Sequence, residues 1–460
     1  MSNCRIFLLA LLASGWLARI SPAQEVYAQI KGTVTDPSGA AVQAADVTAT
    51  NTRTAGSVTV PSGGDGSFAF LQLPVGSYDV TVTKNGFATF VERGITLALN
   101  QIYDLPVALE MGQMHASVEV QADPVQVDKF TTQLGNIVDA PKIVDLPLNG
   151  RNWTQLQQLS PGVVAASDRN GTYATDGSQS QQNSYLINGA DSIDLERNLP
   201  SIIPSPDAIQ EFNLIDSTIN PEFGRNSGGI LNAIIKSGTN QFHAAAFEFY
   251  RDTFLNGRNL FQQSAPIYHQ NQFGGTLGGP IWKDHTFFFV SYQGSRFRQP
   301  ESGVSAQTTV FSSAQRNGYF PDLATSTAVS PTPLVGESGL TYPAGTPYSV
   351  IFPTGHIPSA DINPISQRLL GYVPLPNASG NLYAFNPLQT GTQDQGIVRV
   401  DHTFSWKDAL WASAFFEDSP TVSTLPAFGA SLPGFDQLDS RAYKQITADW
   451  THTFSPTMLN

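Results

Sequence analysis

Charge is scarce in this chain. Asp, Glu, Lys and Arg together make up 13% of its 460 residues, about half of the usual soluble share. The formal net charge is -13, so no basic stripe exists to displace phosphate counterions, which excludes nucleic acid as a partner. Cysteine is almost missing. Cys4 is the single one, and the chain beyond it has neither a disulfide nor a thiolate metal site. No stretch after the N-terminus reaches eighteen consecutive apolar residues, which excludes helical spans. Barrel strands are untouched by that test, because their alternating faces average to neutral hydropathy. Motifs of bond chemistry are absent as well: no HExxH, GxSxG, Walker A or GxGxxG pattern occurs. The seven histidines are scattered, so no catalytic residue, no metal set and no cofactor is assigned. His243, His402 and His452 read as side chains of a strand lumen or interface.

What is abundant is strand and turn material, with Gly 39, Pro 31 and Phe 28. The N-terminus has the form of a signal peptide over residues 1–23. Arg5 is its basic start, Ile6 to Ala18 its short apolar stretch, and Ser21-Pro22-Ala23 its small-x-small cleavage site. Cys4 precedes the apolar stretch and leaves with it.

Residues 25–111 alternate short strands with turns. Gln29 to Thr35 ends at Asp36-Pro37-Ser38-Gly39, and Asp65-Gly66 precedes Ser67 to Phe70. Tyr78, Val80 and Val82 share one face of the next strand, and the spacing predicts a small β-sandwich. The string "GTVTDPSGAAV…DGSFAFLQLPVGSYDVTVTKNGF" resembles the carboxypeptidase-regulatory-like domain. That resemblance implies a seven-stranded sandwich with a carbohydrate-binding-like fold, and sugar binding only as an analogy of fold.

Residues 113–240 are mixed, with helical stretches such as Trp153 to Leu159 among Gly/Asn-rich loops. The stretches "DLPLNGRNWTQLQQLSPGV", "NSYLINGAD" and "PDAIQEFNLIDSTINPEFGRNSGGILNAIIKSGTN" resemble the plug of TonB-dependent outer-membrane receptors. Gly228-Gly229-Ile230-Leu231-Asn232 corresponds to the family's closing glycine step, and paired glycines would let the backbone approach a neighbouring wall. The resemblance implies that Arg151 and Arg225 pair with barrel carboxylates, with plain surface solvation as the rival reading. Ser117-Val118-Glu119-Val120-Gln121-Ala122 resembles the TonB box, a short extended segment displayed to the periplasm. A first plug strand or a linker strand fits the same alternating text equally well. Asp191 and Asp194 in "NGADSID" read as a solvated loop rather than a cation site.

From residue 241 to 460, six strands of about ten residues recur, the length a tilted membrane strand needs. They lie near His243–Tyr250, Asn271–Ile281, Thr286–Arg296, Ile397–Phe404, Leu410–Asp418 and Tyr443–Phe454. In the last, Gln445, Thr447, Asp449, Thr451 and Thr453 oppose Ile446, Ala448, Trp450 and Phe454, with Lys444 and His452 as exceptions. Val398 and Val400 oppose Arg399 and Asp401, and Phe247 and Phe249 oppose Glu248 and Tyr250, the phenylalanines being expected outward. Soluble sheets alternate too. Connections discriminate: Trp282-Lys283-Asp284-His285, Ser405 to Ala409 and Ser455-Pro456-Thr457 are short, whereas residues 252–270, 297–396 and 419–440 are long. Short turns alternating with long loops is the pattern of an outer-membrane barrel. Trp282, Trp406, Trp411 and Trp450 fall near the short-turn end and are expected in an aromatic girdle. Six strands are fewer than a closed barrel requires, so a fragment of a longer receptor is expected. The Pro/Gly/Ser-rich stretch 297–396 reads as a surface loop or a disordered one, with a short helix after Asn363-Pro364.

The expected fold is mainly β: an N-terminal sandwich, a mixed α/β plug and the first strands of a barrel, resembling Oar-like receptors in this order. The partners so implied are TonB, outer-membrane lipid and an extracellular ligand, whether glycan, siderophore or peptide. The competing reading is a secreted or surface-attached carbohydrate-binding protein.

Overall fold

Strand-forming alternation over residues 28–108 closes around an apolar core. The computed structural model describes residues 27–112, 117–121, 133–166, 172–217, 219, 223–257, 267–300, 306–385, 387–405, 407–425, 432, 434, 436–455 and 458–459. The signal-peptide reading, Cys4, Ala122, Trp406 and the turn at Pro456-Thr457 lie outside these residues.

In the N-terminal region, β1 (Ala28–Thr35) lies between β4 (Ser67–Leu73), antiparallel, and β7 (Ile102–Ala108), parallel. A second sheet runs in the order β3 (Ser57–Pro61), β2 (Asp46–Asn51), β5 (Gly76–Thr83), β6 (Thr89–Leu97) and β8 (Ser117–Gln121). The period of two works as expected. Tyr78, Val80 and Val82 of β5 face inward and meet Ile30, Val47, Ile95 and Leu105 in one cluster. The Asp36–Gly39 turn is tied by the Asp36 carboxylate, which accepts from Ser38 N at 2.8 Å, Ser38 Oγ at 2.6 Å and Ala40 N at 2.9 Å.

The middle region holds a mixed five-stranded sheet. Its order is β11 (Ala190–Asp191), β10 (Ser184–Ile187), β13 (Ile230–Ile235), β12 (Ile209–Ser217), β9 (Leu134–Asp139). All six residues of β13 are buried, as a central strand with both faces covered requires. Asn188-Gly189 closes the β10–β11 hairpin with positive φ at both positions, the turn that matches strand twist. Trp153–Leu159 is a 3-10 helix, started by Asn152, whose side chain accepts from Thr154 N at 3.1 Å. Trp153 packs on Phe212 with ring centroids 5.2 Å apart and donates to Pro204 O.

The rest is one antiparallel meander of seven strands: β14 (His243–Asp252), β15 (His269–Trp282), β16 (Thr286–Pro300), β17 (Leu388–Ser405), β18 (Asp408–Ser423), β19 (Gln437–Ser455) and β20 (Met458–Leu459). All six expected strands are there, and most extend several residues past their long-loop ends. The five longest have 14 to 19 residues, or about 45 to 60 Å of strand. Short turns sit where expected, at Trp282–Thr286 and Ser405–Asp408.

The two faces of this strand wall differ from those of a water-soluble sheet: the outer one exposes large apolar side chains, and the inner one buries polar side chains among Phe287, Phe289, Ile397 and Phe415. Gln272, Ser291, Gln293, Ser295, Gln395, Arg399 and Glu417 are buried on the inner face, whereas Ile281, Trp282, Phe404, Phe416, Ile446, Trp450 and Phe454 are exposed on the outer one. Gln395 is 3% exposed and Ile446 83%. Among the described residues no helix is long and apolar enough to cross a membrane.

Two expectations about facing fail. Phe247 and Phe249 point inward, because their register partners are Gly274 and Gln272, and Gln272 donates to Gly150 O of the middle region. Both faces of β14 carry aromatics, so parity could not be read from the strand alone. Trp411 is also inward and buried, although Trp282 and Trp450 are exposed near the short-turn end. The long stretch between β16 and β17 is folded over its described residues. Ala306–Thr309 pairs with Leu382–Phe385, Arg316 donates to the carbonyls of Leu370, Val373 and Pro374, and Asn363 caps the short helix Pro364–Leu370.

Candidate functional site

The three regions meet at the short-turn end of the wall, where a set of polar contacts is built around a shared apolar core. Arg399, from the inner face of β17, is the central one. It donates Nη1 to Ile235 O at 2.8 Å, at the end of the buried strand β13. Its other donors hold Asp401, with Nη2 to Oδ1 at 2.8 Å, and its guanidinium carbon lies 4.8 Å from the Trp411 ring centroid. Ser237 Oγ donates to Asp401 Oδ2 at 2.8 Å. Asp401 is thus shared by the wall's arginine and the middle region. Gln395 Oε1 accepts from Ser205 N at 2.9 Å, and Asn188 reaches Ser413 Oγ at 3.3 Å. Phe289, Ile397 and Phe415 of the wall complete the core that contains Trp153, Phe212 and Leu231. The middle region is therefore seated on the wall's inner face, where the wall's polar residues find partners instead of water.

The N-terminal region docks on the same end. Tyr27 donates its hydroxyl to Asp449 Oδ2 at 2.5 Å and accepts from Trp411 Nε1 at 3.2 Å. Burial is the largest cause holding the Tyr27 phenol above its usual range. Asn240, between middle region and wall, donates its backbone N–H to Arg53 O and its side chain to Thr54 O. Leu99 N donates to Glu211 Oε1 at 2.5 Å inside a buried joint. Burial pushes the Glu211 carboxyl up to about 7, the Leu99 N–H opposing it and Asp139 adding to it. A cavity of about 270 Å³ remains among the three regions, lined by Tyr27, Arg53, Asn188, Ser237, Arg399 and Trp411.

The expected site residues are distributed differently from the sequence reading. Arg151 pairs with Asp207, a middle-region carboxylate, and its guanidinium carbon stands 4.3 Å and 4.1 Å from the ring centroids of Phe247 and Phe249 on β14. Arg225 pairs with Asp191 at 2.7 Å, also within the middle region. Neither meets a wall carboxylate. Arg151 reaches the wall through aromatic faces, and Asp191 is accounted for by Arg225. Gly228 and Gly229 do admit a close approach, but to their own sheet. A Cβ on Gly228 would overlap Asn183 Oδ1 and stand 2.8 Å from Gln182 O; one on Gly229 would stand 3.1 Å from Ile215 O. The glycine that approaches the wall is Gly238, where a Cβ would overlap Phe288 O and stand 2.6 Å from Gly279 O.

The segment Ser117, Val118, Glu119, Val120, Gln121 is extended, as expected, but it is not a free segment. It is β8, paired in parallel with β6, and Arg93 Nε meets Glu119 Oε1 at 2.7 Å. His402 and His452 lie on the outer face. They contact Thr286 Oγ1 at 2.8 Å and Asp408 Oδ1 at 2.6 Å, and stack edge-on against Phe404 and Phe454. Tyr27, Glu211, Gly238, Arg399 and Gln395 escaped the sequence reading as contact residues. Only Arg399-Val400-Asp401 offered a signal, two charges on one face of the strand, flanking an apolar residue on the other.

Residues 234–460 match the family model of an outer membrane beta barrel domain, and residues 29–110 that of a carboxypeptidase regulatory-like domain. The TonB-dependent transporter Oar of Myxococcus xanthus is 31% identical over 262 residues, covering 54% of this chain and 24% of Oar. The chain thus spans about a quarter of the length of that relative. Among solved structures, the ferric enterobactin receptor PfeA of Pseudomonas aeruginosa is 14% identical, with 62% of this chain and 33% of that one covered and a TM-score of 0.35. The outer membrane transporter YddB from Escherichia coli is 12% identical, with 70% and 37% covered and a TM-score of 0.39.

Proposed function

From the premise that this chain is a TonB-dependent transporter homologue of the Oar type, with a carboxypeptidase regulatory-like domain ahead of an outer membrane beta barrel domain, we propose that the complete protein takes up a large ligand across the outer membrane. The observation that carries this reading is the apolar outer face of the strand wall together with the polar side chains buried on its inner face. Apolar side chains line the exposed outer face, the buried inner face mixes polar side chains with Phe289, Ile397 and Phe415, and a folded region is seated on that inner face. In this reading residues 25–111 are a periplasmic sandwich, to whose second sheet β8 adds the last strand, the rest of 113–240 is the plug and 241–460 are barrel strands. The folded loop between β16 and β17 lies outside the cell, where an extracellular glycan, siderophore or peptide would first be met.

The chemistry is mechanical. The relatives are transporters, and the proposal needs no bond-making step: the plug blocks the lumen until an inner-membrane energising protein, TonB, pulls on it. Ser117 to Ala122 is the proposed TonB box, and strand addition to it would rest on main-chain hydrogen bonds. Val120→Pro removes one donor and should abolish capture of a soluble periplasmic fragment of TonB by the detergent-solubilised protein. Unchanged capture would reject the box. The membrane assignment is tested separately: the protein should stay with the outer-membrane fraction through a carbonate wash, and its release would reject the transporter reading.

A further inference from the structure

We infer that the N-terminal sandwich is the coupling element of this transporter: the energising protein adds a strand to the outer edge of β8 while β8 stays in the sandwich sheet, so that force reaches the plug through the sandwich. This rests on the box reading above and goes beyond it, because a box displayed as a loose segment would pull on the plug directly.

Four observations lead there. First, β8 is built into a sheet. It pairs with β6 over five registered positions, from Thr89 with Ser117 to Arg93 with Gln121. Arg93 Nε holds Glu119 Oε1 at 2.7 Å, and the same arginine lies 3.5 Å from Asp79 Oδ2 on β5. Second, β8 is the last strand of its sheet, and among the described residues no strand pairs with its other edge. An edge strand presents unpaired N–H and C=O groups, which is the template that an extended partner recognises. Third, β6, the neighbour of β8, ends at Leu97, two residues before Leu99, whose N–H enters the buried carboxylate of Glu211 on plug strand β12. β12 pairs with β13, which ends at the Ile235 carbonyl held by Arg399. While β8 stays in its sheet, a load on it is shared with β6 and passes from β6 to the plug sheet and to the bond that seats the plug on the wall, alongside the covalent route by which β8 leads on to β9. Fourth, the sandwich is fastened to the barrel mouth by a few polar contacts, those of Tyr27 with Asp449 and of Asn240 with Arg53 and Thr54. Such contacts can be released, whereas the apolar core of the sandwich is continuous. The sandwich can move as a body without unfolding.

The test is a reversible staple. Val91 and Glu119 are register partners on the same face of the β6–β8 pair, so Val91→Cys with Glu119→Cys, in a Cys4→Ser background, can be oxidised to fix β8 in the sheet. Capture of the soluble TonB fragment by the full chain in detergent is then compared between oxidised and reduced protein, the reduced form being the control for folding. The expected result is capture that does not change on oxidation. Capture that falls by at least about tenfold on oxidation and returns on reduction, the scale of two or three lost strand hydrogen bonds, would overturn the inference, since β8 would then have to leave the sheet. Failure of the staple to form would overturn it too, because β8 would not lie beside β6. If reduced protein captures TonB and Val120→Pro does so equally well, the box reading itself fails, which is a distinct result.

Discussion

Arg399 offers the sharpest test of how the middle region is held on the wall. Replacing it with alanine removes the donor to Ile235 O and leaves Asp401 with Ser237 Oγ as its remaining side-chain partner outside its own strand. The arginine side chain is 11% exposed and the aspartate 21%. Removing one partner of a buried pair costs about 3–5 kcal/mol, mostly because the other charge is stranded; the residual exposure of Asp401 places the expected cost at the lower end, about 3 kcal/mol. The readout is amide hydrogen exchange along β13 in detergent, which reports local opening of the middle region's sheet. A loss of about 3 kcal/mol should accelerate exchange at Ile234 and Ile235 by about 100-fold. The pairing argument makes a further demand. Arg399→Ala with Asp401→Ala should exchange more slowly than the single variant, because the stranded carboxylate is gone, with a coupling of at least about 1 kcal/mol. Unaltered exchange in the single variant, or a double variant that opens as fast or faster, would refute the reasoning.

Glu211 should make the joint between the N-terminal and middle regions pH-dependent. Its carboxyl is raised from 4.5 to about 7 when buried, so the docked state binds a proton that the undocked state releases. The joint is therefore strongest at acid pH and weakens as pH rises through the window from 4.5 to about 7, then levels off. Glu211→Gln keeps an acceptor for Leu99 N and should flatten that profile in exchange of the Leu99 amide; a profile that persists would assign the dependence elsewhere. Gly238→Ala should prevent seating at the wall, since the backbone atoms of Phe288 and Gly279 that it would meet cannot move aside as side chains do. Protease cleavage near Ser237 in folded protein should rise accordingly, and wild-type resistance would reject the close approach.

Much of the architecture was legible along the chain because its signals are local. A period of two, with Gly, Pro and Asp in the turns, marked the sandwich strands, and tight Trp-Lys-Asp turns alternating with long connections marked the wall. Those features depend on neighbours within a few residues, and a single sequence carries them in full. Facing did not follow so simply. In β19 the contrast of Thr and Gln with Ile and Trp was enough, but β14 has aromatics on both sides, and the choice was made by Gln272 across the register and by Arg151 from the middle region. Trp411 likewise belongs inside because Tyr27, 384 residues earlier, brings it a hydroxyl.

Pairing of charges was settled by the tertiary structure alone. Which carboxylate neutralises Arg151, which carbonyl Arg399 holds, which glycine touches the wall and what lies beside β8 are all contacts between segments far apart in the chain. Composition and spacing determined that this protein would build a small sandwich and a set of long strands with one greasy and one polar flank, since backbone geometry enforces that alternation residue by residue. Only folding decided what those flanks meet, because a buried polar group takes its partner from whatever the packed chain brings within about 3 Å.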